Sequence, residues 1–540
     1  MFAKKRTLSL AVVVALVASM LLSACTQAQA SKYPGTTEKG TAVVNIASEP
    51  ADMFSITSTD TVAGNVLIHL MDGLTILDQE DKPIAGVAKD WKISDDQLVY
   101  TFNLRNDYKW SNGEAVTAND FAFAFRSLID PKFASEYAYF GYVFKNAVAF
   151  SEGKAKIEDV GIKVLDDYKL ELTLEQPTSY FLGMLAYKSF FPVNQKGYEA
   201  IGDKYGTDFD KIVTNGPYKL TKWEHENEIV LEKNADFPDA KDVKIDKIVM
   251  KMINDTNAAM NSFKSNQIDM IGLNGDQAKM LRDEQQPVYT YDDGSSWYFE
   301  YNLKDKVLAN KKVRQALTLA VDSESFVKNV VKNSSKAATQ FTPHAINGNK
   351  EKFADEIGPL FKSHDLDKAK SLMEDAKKEL GVSEIEVSLL IDDGDTAAKY
   401  AAFFQESWKS ELGIKVNVEA VPFKSRLERM TNKDFQIVLA GWGPDYNDPM
   451  TFLDLFETGN GNNHTGYSNP AYDELLNKAR KELDKNKRFG YLMDLEKLLM
   501  EDMPVGPYYF RARDYTTSGK LKGIVRTAFQ DINLRWAEVK

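Results

Sequence analysis

Between residues 366 and 440, long amphipathic segments alternate with short β-branched runs, and no other pattern in the 540-residue chain restricts the fold as much. The runs at 387–391, 414–418 and 435–440 read as strands. The segments at 366–380 and 395–412 read as helices, each followed by a glycine (Gly381, Gly413) where a left-handed C-cap residue belongs. Strands separated by helices cannot pair as hairpins. They need crossover connections, which are right-handed, and the result is a parallel sheet in an α/β fold.

The rest of the chain adds elements of both kinds. Strands are expected at 42–46, 99–104, 168–174, 218–220 and 248–250, and helices near 62–71, 179–185 and 311–321. Thr117-Ala-Asn-Asp120 resembles a capping box for a helix through Phe121, Phe125 and Leu128 that stops before Pro131. Thr256 is expected to cap a helix through Met260 and Phe263. Asn469-Pro470 should open a helix to about residue 483, with another running to about residue 500. Two aromatic strands, at 297–303 and 505–510, read as crossings between two lobes.

The first residues carry a processing signal: Lys4-Lys5-Arg6, an apolar run over 8–22, then Leu22-Ser-Ala-Cys25. Leu-Ser-Ala-Cys resembles the bacterial lipobox, in which the cysteine is lipidated and becomes the new N-terminus. Cys25 is also the only cysteine, so the mature chain has no disulfide and no thiolate metal site. Residues 1–24 are expected as the signal peptide and the polar stretch 25–40 as a flexible tether. Two or more acyl chains would hold the protein firmly on a membrane. Later stretches fall short of the apolar length of a spanning helix.

The loop at 441–450, Gly-Trp-Gly-Pro-Asp-Tyr-Asn-Asp-Pro-Met, follows the last strand of the alternating region and precedes a short helix. Loops at the carboxyl ends of strands are where open α/β sheets bind ligands, and glycines let backbone run close to another group. Asp445 sits there between Trp442 and Tyr446, an acid flanked by aromatic surface. The same residues also suit a plain turn, with Asp448 as N-cap and Pro449 at the first helical position.

Catalysis has no visible carrier. Dinucleotide, phosphate-loop, nucleophile-elbow and zinc-protease motifs are missing, and no two of the five histidines have metal-ligand spacing. Asp392-Asp-Gly-Asp395 lacks the spacing of a calcium loop and reads as a helix cap. No cofactor and no metal are therefore expected. The formal charge of -12 becomes -15 once the three leader cations are removed, because residues 1–24 contain no acid. Such a surface repels nucleic acid.

Four blocks carry a resemblance. Leu98-Val-Tyr-Thr-Phe-Asn-Leu-Arg with Lys109-Trp-Ser-Asn-Gly-Glu-Ala-Val-Thr-Ala-Asn-Asp-Phe121, Asn215-Gly-Pro-Tyr-Lys-Leu220, Lys312-Val-Arg-Gln-Ala-Leu-Thr-Leu-Ala-Val-Asp322 and the loop from Gly441 to Leu453 follow one another in family order. From about residue 41 onward the chain resembles the extracellular solute-binding proteins of oligopeptide and dipeptide uptake systems (family 5). The resemblance implies a two-lobed, periplasmic-binding-protein-like clamp of the three-domain, type II kind, with mixed sheets and a hinge of two crossings. Lobe I would comprise 41–75, an extra subdomain at 76–195, then 196–298 and 508–540, and lobe II would be 299–507. It further implies that Asp445 pairs with a peptide's α-amino group, with Gly441, Trp442, Gly443, Tyr446, Asn447 and Thr61 as other contacts. This chain departs from many members at Ala51-Asp-Met53 and at Pro444, which has no N–H to donate. No Arg or Lys lies in 435–440 to meet a peptide carboxylate.

The expected protein is a monomeric, lipid-anchored, non-enzymatic peptide-binding component of an ATP-driven importer, on the extracytoplasmic side of the cell membrane. Its partners would be an oligopeptide, the membrane permease and, through its lipid, the membrane itself. The alternatives are the same fold with a metal chelate or an oligosaccharide in its cleft, a receptor for peptide pheromones, or an extracytoplasmic hydrolase, whose base and nucleophile the sequence does not show.

Overall fold

Two thirteen-residue strands, Tyr289–Tyr301 and Val505–Thr517, run antiparallel to each other and carry the architecture. The computed structural model describes residues 31–540, save Thr59, Glu136 and the side chains of Asp395, Phe423 and Lys424; the leader and Cys25 lie outside the described residues. Among the described residues, the two long strands sit inside an eleven-stranded mixed sheet. On one side it continues through Ile437–Trp442, Glu386–Asp392 and Lys415–Val421. On the other it continues through Met270–Leu273, Thr41–Asn45, Lys247–Lys251, Glu228–Lys233 and Tyr218–Glu224.

The alternation in the C-terminal half has the expected consequence. Glu386–Asp392 lies parallel to both Lys415–Val421 and Ile437–Trp442. Helix Asp395–Leu412 makes the first crossover, and helix Phe423–Thr431, which the sequence pattern does not mark, makes the second. Gly381 and Gly413 close their helices at φ 69° and 65°, the left-handed conformation that a side chain would oppose. Helices Lys311–Ala320, Leu366–Leu380 and Asp395–Leu412 pack with this wing around Phe299, Leu317, Phe404 and Trp408. The other wing buries Val44, Leu67, Leu231 and Met250 in a cluster that runs on into a separate four-stranded antiparallel sheet through Phe102, Phe121 and Phe125. The molecule is thus a two-lobed α/β clamp joined by two strand crossings.

Several local expectations change. The helix Thr256–Lys264 is capped by Asp255, whose carboxylate accepts from the Ala258 N–H at 2.7 Å; Thr256 is already helical. Gly394, and not an aspartate of 392–395, is the N-cap of its helix. The helix after the 441–450 loop is Met450–Leu453, so Pro449 stands at the cap, while Asp448 accepts from the Met450 N–H at 3.0 Å. The flexible tether expected up to residue 40 ends sooner. Lys32 donates its N–H to Gln286 at 2.8 Å, Tyr33 packs edge-on against Phe263 at 5.1 Å, and Thr36 donates to Asp269 at 2.8 Å. Covering the apolar cluster around Phe263 is what holds this segment down.

The C-terminal segment returns to lock the first lobe. Arg535 reaches buried Asp72 with two hydrogen bonds, at 2.6 and 2.8 Å, and Tyr108 donates to the same carboxylate at 2.8 Å. Near the end of helix Thr61–Leu70, His69 donates from Nδ1 to the Asn65 carbonyl at 2.8 Å and accepts from the Leu534 N–H at Nε2 at 3.0 Å. With one nitrogen donating and the other accepting, the ring must be neutral. Burial pushes the His69 pKa down to about 4 against the Asn65 bond, and the Arg535 charge adds to the fall.

An acid limb of the stability curve follows. Because the unfolded histidine titrates near 6.5, the unfolded state binds the extra proton first as pH falls, and stability declines from pH 6.5 until the folded ring also protonates near pH 4. The loss expected from this one group is about 3 kcal/mol. Urea titrations at several pH values should show His69→Gln less stable at pH 7 but flatter across that window. An identical slope in both proteins would contradict the assignment.

Candidate functional site

Between the lobes lies a cavity of about 570 Å³. Its walls include the loop after strand Ile437–Trp442, the start of helix Thr61–Leu70 with the segment Tyr180 to Lys188, the crossing strands through Asp293, Arg511 and Arg513, and the segments 81–83 and 527–531. Sheet register explains why the loop arrives here. Trp442 pairs with Ser296 of the first crossing strand, and Ser296 pairs in turn with Phe510 of the second, so the loop leaves the sheet beside the join between lobes.

Six of the seven expected contact residues line this cavity: Thr61, Trp442, Gly443, Asp445, Tyr446 and Asn447. Gly441 does not. It pairs with Trp297, and a Cβ there would stand 2.7 Å from the Trp297 indole, so the glycine serves packing across the sheet. Gly443 has ordinary room, its nearest neighbour being the Ser295 hydroxyl at 3.6 Å from an added Cβ. Pro444 packs on Gly294, which takes φ 70° in the irregular stretch of the first crossing strand; a Cβ on Gly294 would meet the Pro444 ring at 2.8 Å. Asn447 accepts the Asn347 N–H at 2.8 Å. Tyr446 is buried, stacked on Tyr180 of the other lobe at 4.2 Å with an interplanar angle of 2°, and donates to Asp454 at 3.3 Å. Asp448, the neighbour but one, forms a two-bond ion pair with Arg488 at 2.7 and 2.8 Å, and both are buried.

Asp445 occupies the centre of this wall. Its N–H donates to Thr451 Oγ1 at 3.1 Å, and its carboxylate has a hydrogen bond with Tyr139. Part of the residue faces the cavity, yet protein encloses it closely. Burial pushes its pKa up to about 8, and the charge of Asp454 pushes the same way; Lys188 and Tyr139 oppose them. Asp454 is raised by burial as well, to about 7 despite Arg480. Across the cavity, burial brings Lys188 down to about 8 against the pull of Asp60, Asp52 and Asp445. No ion pair among the described residues reaches the Asp445 carboxylate. The Trp442 indole N–H is buried and has no partner among the described residues.

Another part of the cavity wall carries arginines. One oxygen of Asp293 accepts from Arg511 Nε at 2.6 Å and from Arg513 Nε at 2.8 Å. Burial alone would raise the Asp293 pKa, but the two guanidinium groups outweigh it and hold the carboxyl below its ordinary range. Arg526 donates from Nη2 to the Asp531 carboxylate at 2.7 Å and lies over the rings of Tyr291 and Tyr515 at 4.4 and 4.8 Å. The sequence reading does not name these residues, although Arg511-x-Arg513 in a strand places two cations on one face. Tyr180, Tyr187 and Lys188 carry no comparable signal. Among the described residues there is no cluster of three potential metal ligands, and no helix is long and apolar enough to cross a membrane.

Comparison with known proteins identifies the family. The model of the bacterial extracellular solute-binding proteins, family 5, middle region, matches residues 82–464. The chain is 34% identical to the oligopeptide-binding protein OppA of Bacillus subtilis, over 97% of this chain and 98% of that protein. It is 33% identical to the dipeptide-binding protein DppE of the same organism, over 97% of each. The crystal structure of the substrate-binding domain of an oligopeptide ABC transporter from Bacillus anthracis superposes with a TM-score of 0.83 at 35% identity, over 94% of this chain and 99% of that one. The family expected from the four sequence blocks is thereby established: the chain belongs to the bacterial extracellular solute-binding proteins of family 5.

Proposed function

We propose that this protein captures oligopeptides in the cavity between its lobes and delivers them to the permease of an ABC importer, held on the extracytoplasmic face of the membrane by lipid on Cys25. The observation that carries the reading is Asp445, a carboxylate lining the cavity with no ion-pair partner among the described residues. A peptide ammonium supplies that cation, and burial of the acid, which raises its pKa, favours a ligand that brings one. Arg511 and Arg513, two cations on a single carboxylate, leave a positive charge on the cavity wall that suits a peptide's carboxylate end. Main-chain pairing and roomy aromatic walls read the form of a peptide more than its sequence. The names of the B. subtilis relatives point to the same ligand class. Neither a metal chelate nor an oligosaccharide answers a lone acid in a cavity whose wall also carries arginines, and the reading includes no catalytic step.

Asp445→Ala should reduce the affinity for a free-amine peptide by a factor of about 30 to several thousand, since removing one partner of a buried pair typically costs about 2 to 5 kcal/mol. N-acetylation of the peptide should weaken binding to the unaltered protein as well, and should add little on the mutant because both changes break one contact. Calorimetric titration of both peptides into both proteins decides the matter; fully additive losses would refute the pair.

The raised pKa predicts a proton signature too. In the empty cavity Asp445 is largely protonated below about pH 8, and a bound ammonium forces it to ionise. Binding should therefore release a proton, and affinity for a free-amine peptide should rise with pH from 6 to 8, by up to about tenfold per unit. Titrations in buffers of differing ionisation enthalpy read the proton directly, and Asp445→Asn should abolish it.

The anchor is tested by Cys25→Ser. That protein should leave the membrane fraction and remain folded; retention on the membrane would rule out the lipid.

A further inference from the structure

Lys188 lines the same cavity and is 4% exposed, among the most enclosed cations of the protein. Its ammonium has three N–H bonds to give and makes one hydrogen bond, to the Asp60 carbonyl at 2.6 Å. The rings of Tyr137 and Tyr187 stand 5.9 and 5.8 Å from it. Three carboxylates lie near enough to influence its charge, and all three are engaged elsewhere. Asp60 caps its helix by accepting from the Ala63 N–H at 2.7 Å, Asp52 accepts from the Phe54 N–H at 2.9 Å, and Asp445 bonds with Tyr139. No carboxylate among the described residues makes an ion pair with Lys188. A buried ammonium with no carboxylate hydrogen-bonded to it is costly, so the cavity gains from a ligand that brings an anion to it.

We infer that Lys188 is a specificity-determining residue that selects peptides whose first residue is acidic. The inference rests on the peptide reading above. Asp445, within electrostatic reach of Lys188 on the facing lobe, takes the ligand's ammonium. An anion that meets Lys188 must then sit only a few bonds from that ammonium. In a peptide, the group that satisfies this is the side-chain carboxylate of an N-terminal Asp or Glu. The C-terminal carboxylate of any longer ligand lies too far along the chain. A free amino acid would bring both charges but leave most of the 570 Å³ empty. The low-dielectric surroundings that make Lys188 expensive when unpaired also strengthen the pair once it forms.

The test compares two tripeptides that differ only in their first residue, Asp-Ala-Ala and Asn-Ala-Ala, by calorimetric titration into the whole protein. The acidic peptide should bind at least about tenfold more tightly, the range expected of a hydrogen bond between two charged groups in an enclosed site. Lys188→Gln keeps an N–H for the Asp60 carbonyl and removes the charge. It should abolish the difference between the peptides, leave Asn-Ala-Ala within a few-fold of its original affinity, and shift the melting temperature little. Lys188→Met, which also gives up the bond to Asp60, separates loss of charge from loss of structure: if the residue only props the helix start, Met lowers the melting temperature and Gln leaves peptide preference untouched. Equal affinities of the two peptides for the unaltered protein, or a preference that survives in Lys188→Gln, overturns the inference while peptide binding stands. Binding of neither peptide overturns the peptide reading along with it.

Discussion

The antiparallel pairing of Tyr289–Tyr301 with Val505–Thr517 is the constraint on which everything else depends. Both strands are buried along most of their length, and every route from one wing of the sheet to the other passes through their hydrogen bonds. The register shifts between Asp292 and Ser296, where Gly294 turns to a positive φ. That irregularity brings the backbone against Pro444 and aims Asp293 at Arg511 and Arg513. The arginine-bearing part of the cavity wall is therefore built on the strands that join the lobes, whereas Asp445 rides on a loop of one lobe.

This division matters because charge inside the cavity is poorly screened. Asp445 and Lys188 are both pushed toward neutrality, in opposite senses, by the same loss of water. Where the protein wants a charge to be satisfied internally it supplies full partners: Arg488 grips Asp448 with two bonds, and Arg535 grips Asp72 likewise. Asp445 and Lys188 receive only neutral hydrogen-bonding partners. In this Asp445 and Lys188 differ from Asp448 and Asp72, and also from Asp293, which is paired in the cavity wall itself.

Aromatic packing sets the distance between the walls. Tyr446 from one lobe lies flat on Tyr180 from the other, with the Arg488 guanidinium 5.8 Å from the Tyr180 ring. Stacking of this kind gives modest energy but fixes geometry, since the rings must stay parallel to keep contact. It follows that Tyr446, though it borders the cavity, spends one ring face on the opposite lobe and cannot give that face to a ligand.

What the sequence determined by itself was local. Short-range rules reach a few residues along the chain, and they suffice for the helices ended by Gly381 and Gly413, for the Asp120 capping contact with the Thr117 N–H at 2.7 Å, and for the parallel unit around Glu386–Asp392. Family blocks likewise pointed to Asp445, because the loop that carries it is continuous in sequence. Only the tertiary structure decided what faces that acid. Tyr180 with Lys188, Asp293, and Arg511 with Arg513 come from three segments far apart in the chain, and no linear pattern shows that these segments meet. Gly441 proved to serve the Trp297 indole and not the cavity, and Asp255 took the cap expected of Thr256. Whether a charged side chain is buried, and whether its neighbours are already committed, depends on how distant pieces of chain close around it. Solvation in three dimensions sets the charge state of this cavity, and the order of residues does not encode it locally.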